Sequence, residues 1–298
     1  MNKMKTQEQQ DEQIFLWGMM AAMFCWGMSW ASGKVLSSYG TSESIGFYRF
    51  LVTFLSLVII LPLIKEKYTI SLKGIWVLLA ASICMSFYNY FFLQGLKEGM
   101  PGAGGVLVTT LNPIITYAIT LIIALRRPTR QEFLGLFIGL IAGCFLLKIW
   151  ERWDNLIDAG NIYFILATVT WSVLSRFTAV SKNYGSSLSF SFLMYGICTV
   201  VMFCFSSSEE SIRIVQQGDT AFWLNLFFSA TITTAIATTY FFYATTRIGV
   251  DKASSYIFLV PLSAALGSWI FIGEIPQWNT IAGGMIGIVA VYVLNKKG

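Results

Sequence analysis

The chain has no histidine, and only 12% of its 298 residues are charged. The missing histidine removes the commonest general base and a frequent metal ligand, which makes classical hydrolase chemistry unexpected. The five cysteines form no C-x-x-C pair, and all fall inside apolar stretches: Cys25, Cys84, Cys144, Cys198 and Cys204. Cysteines in such stretches usually act as small buried hydrophobic residues. The sequence therefore predicts no metal and no cofactor.

The low charge also excludes an ordinary soluble domain, because roughly 25% of the residues of such a domain are charged. Here 56% of the residues are hydrophobic. They are gathered into blocks near 20 residues, about the length that crosses a ~30 Å hydrocarbon core as an α-helix. A large soluble all-helical core is the alternative, but it would need a charged surface that this composition cannot supply. Lipid is the predicted solvent.

Ten apolar blocks predict ten transmembrane helices. They lie near 14–36, 44–64, 74–96, 102–125, 131–149, 160–180, 187–206, 221–245, 252–272 and 278–295. The first block is longer than a signal-peptide core, which predicts a retained helix. The longest connection, Ser207 to Thr220, leaves no room for a soluble domain.

Basic residues predict the orientation, because lysine and arginine concentrate in cytoplasmic loops. With both termini cytoplasmic, 13 basic residues flank the inner ends of the spans and 4 flank the outer ends. The outer four are Lys97, Lys148, Arg152 and Arg213. Residues 1–13 and 296–298 are thus predicted to be cytoplasmic tails. Since the net charge of +5 is spread over inner loops, no nucleic-acid partner is expected.

The two halves of the sequence match each other. An offset of 145 pairs Trp26 with Trp171, and an offset of 148 pairs Pro113 with Pro261. Each half contains five spans, an odd number, so the second half must enter the membrane from the opposite side. The sequence predicts an all-α polytopic membrane protein of two inverted five-helix repeats, residues 14–149 and 158–295, as in many secondary transporters.

Several short motifs occur in a characteristic order along both halves. They are Trp26-Gly27 with Ser29, Arg49-Phe50, Tyr243-Ala244, Ala253, Pro261 and Gly273-Glu274. In this order and spacing the chain resembles the drug/metabolite transporter superfamily, and in particular its EamA-type branch. The resemblance implies ten helices around a central cavity and export or exchange of amino acids, metabolites or drug-like compounds. One departure is Arg126, which stands where Glu274 stands in the second half.

Charged residues inside spans are the first candidates for a binding site. Arg49 lies about five residues into the second span, where it could hold a carboxylate or phosphate; a structural tie to a loop acid or snorkelling is the alternative. Arg176 lies one turn from the inner end of the sixth span and could instead reach a lipid headgroup.

Polar stripes mark the third and eighth spans. Ser82, Ser86 and Asn89 share one helix face, as do Thr231, Thr234 and Thr238, with Tyr243 beyond them. Such stripes face a wet cavity or a partner helix. Their equivalent places in the two halves favour a pathway.

Prolines and aromatic residues complete the candidate set. Asn112 precedes Pro113 in the fourth span, where a freed carbonyl could bind a solute or bend the helix. The aromatic candidates for stacking on a solute are Trp26, Trp30, Trp171 and Tyr256. Small-xxx-small glycine tracks at 135, 139 and 143, and at 283 and 287, predict close helix packing, within the bundle or in a homodimer.

These features predict a secondary transporter that moves small organic solutes by alternating access in a bacterial cytoplasmic (inner) membrane. The chain has no P-loop motif, so ATP is not a direct fuel. Within transport, the alternative is a nucleotide-sugar or phosphorylated-metabolite antiporter. Outside transport, the alternatives are a membrane enzyme acting on lipids, which lacks a visible acid or histidine cluster, and a non-transporting sensor or assembly subunit.

The predicted orientation is tested by accessibility labelling. Because ten spans return the chain to its starting side, tags within residues 1–13 and 296–298 should react with an impermeant reagent from the same face of the membrane. Labelling of the two tails from opposite faces would refute the ten-span topology.

Overall fold

The computed structural model describes residues 2–63, 65, 70–99, 101–151, 159–264, 275 and 277–296, almost all of them in helices. The helices are α1 Asn2–Ser37, α2 Ser42–Leu63, α3 Ile75–Glu98, α4 Pro101–Ala124, α5 Arg130–Leu147, α6 Ala159–Val180, α7 Ser187–Phe205, α8 Ser208–Gln217, α9 Thr220–Phe227, α10 Thr239–Ile248, α11 Val250–Ser255 and α12 Trp278–Asn295. A π-helical segment, Phe228–Thr238, joins α9 to α10, and a 3-10 turn, Tyr256–Leu259, follows α11.

Eight helical stretches of the described chain are long and apolar enough to cross a membrane. They correspond to the first, second, third, fourth, sixth, seventh, eighth and tenth predicted spans. The helix α5 covers the fifth prediction, and residues 250–264 cover the start of the ninth, but neither is among the eight. Several predictions fall outside the described residues: the rest of the ninth span, Arg152, Gly273-Glu274 and residues 297–298. The count of ten stays a prediction.

The predicted N-terminal tail is helical, because α1 already begins at Asn2. Its apolar, membrane-compatible part is Glu12–Ser37, close to the predicted 14–36.

Helices of the two sequence halves pack on each other rather than side by side in separate bundles. The helix α2 packs on α7, α3 on α6, and α5 on α12. On the other side, α1 packs on α9, the π-helical segment and α10, and α4 packs on α6. Each of these contacts joins a helix before residue 149 to one after residue 158, so the interior is shared by both halves.

The glycine tracks of α5 and α12 pack inside this chain. A Cβ on Gly287 would lie 2.9 Å from the Phe258 carbonyl oxygen, and one on Gly139 would lie 2.2 Å from the Phe258 ring. A Cβ on Gly283 would meet Leu146 at 2.7 Å. Contacts this short leave no room for a larger residue, so these glycines serve packing within the bundle, the first of the two predicted alternatives.

The eighth span departs from the α-helical period that the sequence predicted. The hydroxyls of Thr234 and Thr238 donate to the carbonyls five residues earlier, Ser229 at 2.7 Å and Thr233 at 2.9 Å. The wider turn moves Thr231 off the predicted stripe, and its hydroxyl instead lies 2.8 Å from that of Ser56 on α2. π-Helical turns are rare and frequently lie at functional sites.

The connection Ser207 to Thr220, predicted only as a loop, contains the helix α8. Its Glu210 accepts hydrogen bonds from the Thr41 backbone N–H at 3.1 Å, the Thr41 hydroxyl at 2.6 Å and the Ser44 hydroxyl at 2.9 Å. Because Thr41 immediately precedes α2, a carboxylate from the second half caps the N-terminus of a helix in the first half. This acid thus ties α8 to the start of α2.

Burial alone would raise the pKa of Glu210, but the hydrogen bonds from Thr41 and Ser44 outweigh it and lower the pKa below the ordinary 4.5. A lowered pKa in the folded state adds stability above pH 4.5 that is lost as the pH falls through the lowered value. We therefore expect Glu210→Gln to lower the melting temperature at pH 7 and to match the wild type at strongly acid pH. Thermal unfolding in detergent across pH measures this.

Glu209→Gln is the matched control, since Glu209 is the exposed neighbour on the same helix turn. Equal pH profiles for Glu210→Gln and the wild type would show that the carboxylate does not stabilise the connection.

Candidate functional site

A cavity lies at the centre of the bundle, where α1, α2, α3, α4, α6, the π-helical segment and the chain after α11 meet. Its volume is about 50 Å³, and it is lined by residues from both halves. The lining residues are Trp26, Ser29, Trp30, Arg49, Met85, Tyr88, Asn89, Phe92, Val108, Thr109, Asn112, Trp171, Thr233, Thr234, Thr238, Ile257 and Val260.

Arg49 supplies the only charged side chain among these lining residues, and it is 7% exposed. Its Nη1 donates to the Asn89 Oδ1 at 2.5 Å, and its Nη2 lies 3.4 Å from the Thr234 hydroxyl. The guanidinium also lies 5.6 Å from the centroid of the Phe92 ring. None of the ion pairs formed within the described residues involves Arg49. A buried cation with neutral partners alone keeps part of its charge available to an anion.

Other polar atoms of the cavity wall have no protein partner. They are the Arg49 Nε, the Asn89 Nδ2, both amide atoms of Asn112, the Trp171 Nε1 and the Thr233 hydroxyl. Buried polar groups are normally hydrogen-bonded, and a cluster of exceptions indicates water or a ligand. Five of these six atoms can donate, which suits a ligand rich in acceptor oxygens.

Aromatic rings form the rest of the wall. Trp26 contacts Trp171 edge-to-face with ring centroids 5.1 Å apart, and Tyr88 lies 4.6 Å from Trp171. Trp30 packs on Phe92 at 5.0 Å. The Trp26 indole N–H also donates to the Thr238 hydroxyl at 3.2 Å. Such rings exclude lipid and offer faces on which an apolar part of a solute can stack.

Eight of the twelve residues predicted to bind solute lie in this cavity. They are Trp26, Trp30, Arg49, Asn89, Asn112, Trp171, Thr234 and Thr238. The sequence had placed them on six different spans, and the fold brings them together.

The other four lie elsewhere. Ser86 is buried on α3 one turn from the cavity, and Tyr256 is buried in the 3-10 turn. Tyr243 is 36% exposed and contacts the Phe15 ring at 6.5 Å, away from the centre. Arg176 forms an ion pair with Asp251, 3.2 Å from the Arg176 Nη2 to the Asp251 Oδ1. These four residues therefore lie outside the lining, three of them packed within the bundle and Tyr243 on its outer surface.

The sequence analysis did not predict nine of the lining residues. Some of them carry a sequence signal that could have indicated them, and others carry none. Tyr88 adjoins Asn89, and Thr233 adjoins Thr234, so each was one residue from a predicted position. Thr109 lies one turn before Pro113, whose missing N–H leaves the Thr109 carbonyl without its helical donor. Apolar members such as Met85, Val108 and Ile257 carry no sequence signal that separates them from lipid-facing residues.

The cavity is small. About 50 Å³ holds a few water molecules but not a drug-sized solute. A guest larger than water therefore requires the helices around Arg49 to separate.

A many-helix membrane fold whose halves share a buried, donor-rich cavity is typical of membrane transport proteins. Comparison with known proteins gives the family. The EamA-like transporter family model matches residues 13–148 and again residues 158–296. The chain belongs to the EamA-like transporter family and is an integral, multi-pass membrane protein.

Individual relatives are distant. "Uncharacterized transporter YdfC" of Bacillus subtilis is 24% identical over 254 residues, covering 84% of this chain and 81% of the relative. "Uncharacterized transporter YwfM" of the same organism is 22% identical and covers 93% of both chains. A solved crystal structure at 14% identity matches with a TM-score of 0.67 over 95% of this chain and 96% of the other. This last likeness concerns the fold alone.

Substitutions at the cavity should affect stability in opposite directions. Asn89→Leu leaves the Arg49 guanidinium without its 2.5 Å acceptor, so we expect a loss of roughly 1.5–3 kcal/mol in the free energy of unfolding. Arg49→Met removes the buried charge itself, so we expect unchanged or higher stability. Denaturant or thermal unfolding in detergent measures both. A large loss for Arg49→Met would show that Arg49 is a structural tie.

Proposed function

We propose that this protein is a secondary transporter that exports or exchanges small organic solutes bearing a carboxylate, amino acids or related metabolites, by alternating access through the central cavity. The observation that carries the proposal is the buried Arg49, which has neutral partners and lies among unpaired donors. A carboxylate has the charge and the acceptor oxygens that this arrangement lacks. The neighbouring tryptophans suit an apolar or aromatic remainder.

An inverted repeat of two five-helix units is part of this proposal. Trp26 and Trp171, equivalent at an offset of 145, contact each other at 5.1 Å, as residues on a two-fold axis would. Asn89 and Thr234, which both lie against the Arg49 guanidinium, are also 145 residues apart. The helix pairings support the same axis. In the repeat, α3 is equivalent to the eighth span and α6 is equivalent to α1. The contact of α3 with α6 therefore has its counterpart in the contact of the eighth span with α1.

Alternating access follows from this symmetry. Two inverted units can exchange conformations, which opens the same central site first to one side and then to the other. In this cycle the small cavity around Arg49 enlarges towards one side of the membrane and then towards the other. Since the family model matches residues 13–148 and 158–296 separately, each match is a candidate for one moving unit.

The phosphorylated-metabolite alternative is less well supported by the charges. A phosphate would need further cations beside Arg49, but Lys34 and Arg176 have other partners. Lys34 donates to the Leu96 carbonyl at 2.5 Å, and Arg176 pairs with Asp251. A single cation at the centre suits a monocarboxylate better than a dianionic phosphate. We infer a cytoplasmic location for both termini from the basic loops, and a bacterial cytoplasmic membrane from the Bacillus relatives.

Transport by inverted membrane vesicles tests the function. A labelled panel of amino acids and small organic acids, compared with their uncharged amides, should yield a transported carboxylate whose amide is not transported. Arg49→Ala should lower its rate at least tenfold, corresponding to about 1.4 kcal/mol, while Arg49→Lys keeps a charge but not the bidentate geometry and should fall between.

Arg130→Ala, at an exposed arginine on α5, is the control and should transport at the wild-type rate. A wild-type rate for Arg49→Ala would remove Arg49 from the binding site. Equal transport of a carboxylate and its amide would refute the proposed solute class.

A further inference from the structure

A second, half-buried arginine lies beyond the cavity, at the end of the bundle where α6 ends and α11 begins. The Arg176 Nη2 is 3.2 Å from the Asp251 Oδ1 and 3.4 Å from the Thr116 carbonyl oxygen, and the same Asp251 oxygen accepts a hydrogen bond from the Thr120 hydroxyl. The Arg176 Nε has no partner. This cluster joins α4 of the first half to α6 and α11 of the second half.

A polar track on α4 connects the cavity to this cluster. Asn112, Thr116 and Thr120 follow at i, i+4 and i+8, so they lie on one helix face. Asn112 lines the cavity, and both of its amide atoms are unpaired. Thr116, one turn further, is fully buried, and its hydroxyl has no partner. Unpaired polar atoms in a closed interior mark a face that a polar guest would satisfy.

We propose that Arg176 is a second carboxylate-binding position on the solute path, and that Asp251 occupies the place of the solute carboxylate when the position is empty. This rests on the proposed function, in which the solute bears a carboxylate. Asp251 is itself a carboxylate, bound by the guanidinium and by the Thr120 hydroxyl. A solute that arrives along the α4 track presents the same group, and two donors without partners, the Arg176 Nε and the Thr116 hydroxyl, are available to it.

Charge balance then couples a proton to the exchange. Arg176 and Asp251 together are neutral, so a carboxylate that displaces Asp251 would leave one extra negative charge in a half-buried site. The displaced Asp251 carboxylate takes up one proton from the adjoining solution and becomes a neutral carboxyl group. Arg176 then pairs with the solute carboxylate, so the site stays neutral overall. Solute binding and proton uptake are thus one step.

The surrounding charges do not alter this balance. Arg126, in the connection before α5, and Glu132, in the first turn of α5, lie near Asp251 and form an ion pair with each other at 2.7 Å. Tyr117 on α4 is a neutral phenol near Asp251, and the adjoining Lys252 is exposed. Asp251 therefore has Arg176 as its counter-ion.

Arginine labelling of the purified full-length protein tests the second position. Phenylglyoxal modification, read by mass spectrometry, should be slow at Arg176 in the wild type and about tenfold faster in Asp251→Asn, which removes the charge partner. Benzoate, as a carboxylate probe, should restore slow labelling of Arg176 in this variant, and the uncharged benzamide should not. Arg247, which is exposed at the end of α10, serves as the internal reference.

A second measurement uses the unaltered chain, in case Asp251→Asn does not fold. Dicyclohexylcarbodiimide reacts with protonated carboxyl groups in apolar surroundings, so benzoate should increase its reaction at Asp251 in the wild type, and benzamide should not. The benzoate concentration for half of this effect should fall about tenfold per pH unit lowered, because one proton binds with each carboxylate.

The outcomes separate the two proposals. Protection of Arg49 from phenylglyoxal by benzoate, with no effect of benzoate at Arg176 or Asp251, overturns the second position and leaves the central site intact. Protection of Arg176 without Arg49 would instead overturn the central site. An unchanged carbodiimide reaction at Asp251 over the whole pH range overturns the proton coupling.

Discussion

The burial of one uncompensated cation constrains the centre of this protein. An arginine at the centre of a membrane helix costs about 2.5–3.5 kcal/mol on insertion scales, which is an upper bound for Arg49 because it lies before the middle of α2. A hydrogen bond to a charged group returns about 1.5–3 kcal/mol. The Asn89 amide, with the weaker Thr234 contact, can therefore offset most of the cost of Arg49 without an acid. An acid at this position would neutralise the charge and leave nothing for a solute anion. Neutral acceptors hold the guanidinium in place while its charge stays available.

The shape of the eighth span follows from the same requirement. In a regular α-helix, threonine hydroxyls bond carbonyls three or four residues earlier, but Thr234 and Thr238 reach five residues back. The wider turn brings Thr233, Thr234 and Thr238 together on the cavity wall. Thr234 then meets the guanidinium from the second half, as Asn89 does from the first. Both halves thus contribute one acceptor to the same charge.

The two arginines differ in a way that suits a solute path with two binding positions. Arg49 is central and has only neutral partners, whereas Arg176 lies towards one end and carries its own carboxylate. Arg49, which has no acidic partner among the described ion pairs, is available to a solute anion. Arg176 is already paired with Asp251, so it would bind a solute anion more weakly and release it more easily. The asymmetry is also visible in the repeat, since the position equivalent to Arg176 at the offset of 145 is Ala31.

At the other end of the bundle, polar contacts join loops to helix ends. Glu210 on α8 holds the residues before α2, and the Tyr39 hydroxyl donates to the Asp219 carboxylate at 2.6 Å. The same region is also held by apolar packing, because Ile214 of α8 is buried in the core and the Tyr39 ring packs on Phe222.

The sequence by itself determined that the solvent is lipid and where the helices lie along the chain. It also singled out the charged residues whose burial in a membrane costs enough free energy to imply a role. Lipid forces apolar segments of fixed length, and a buried charge such as Arg49 stands out against them. Tertiary structure alone decided which polar residues meet. Asn89, Asn112 and Thr234 converge at the centre, whereas Tyr243 faces outward and Arg176 meets Asp251, because helix rotation, the π-helical turn and packing between the halves set the direction of each side chain. Local periodicity carries no information on those distant contacts.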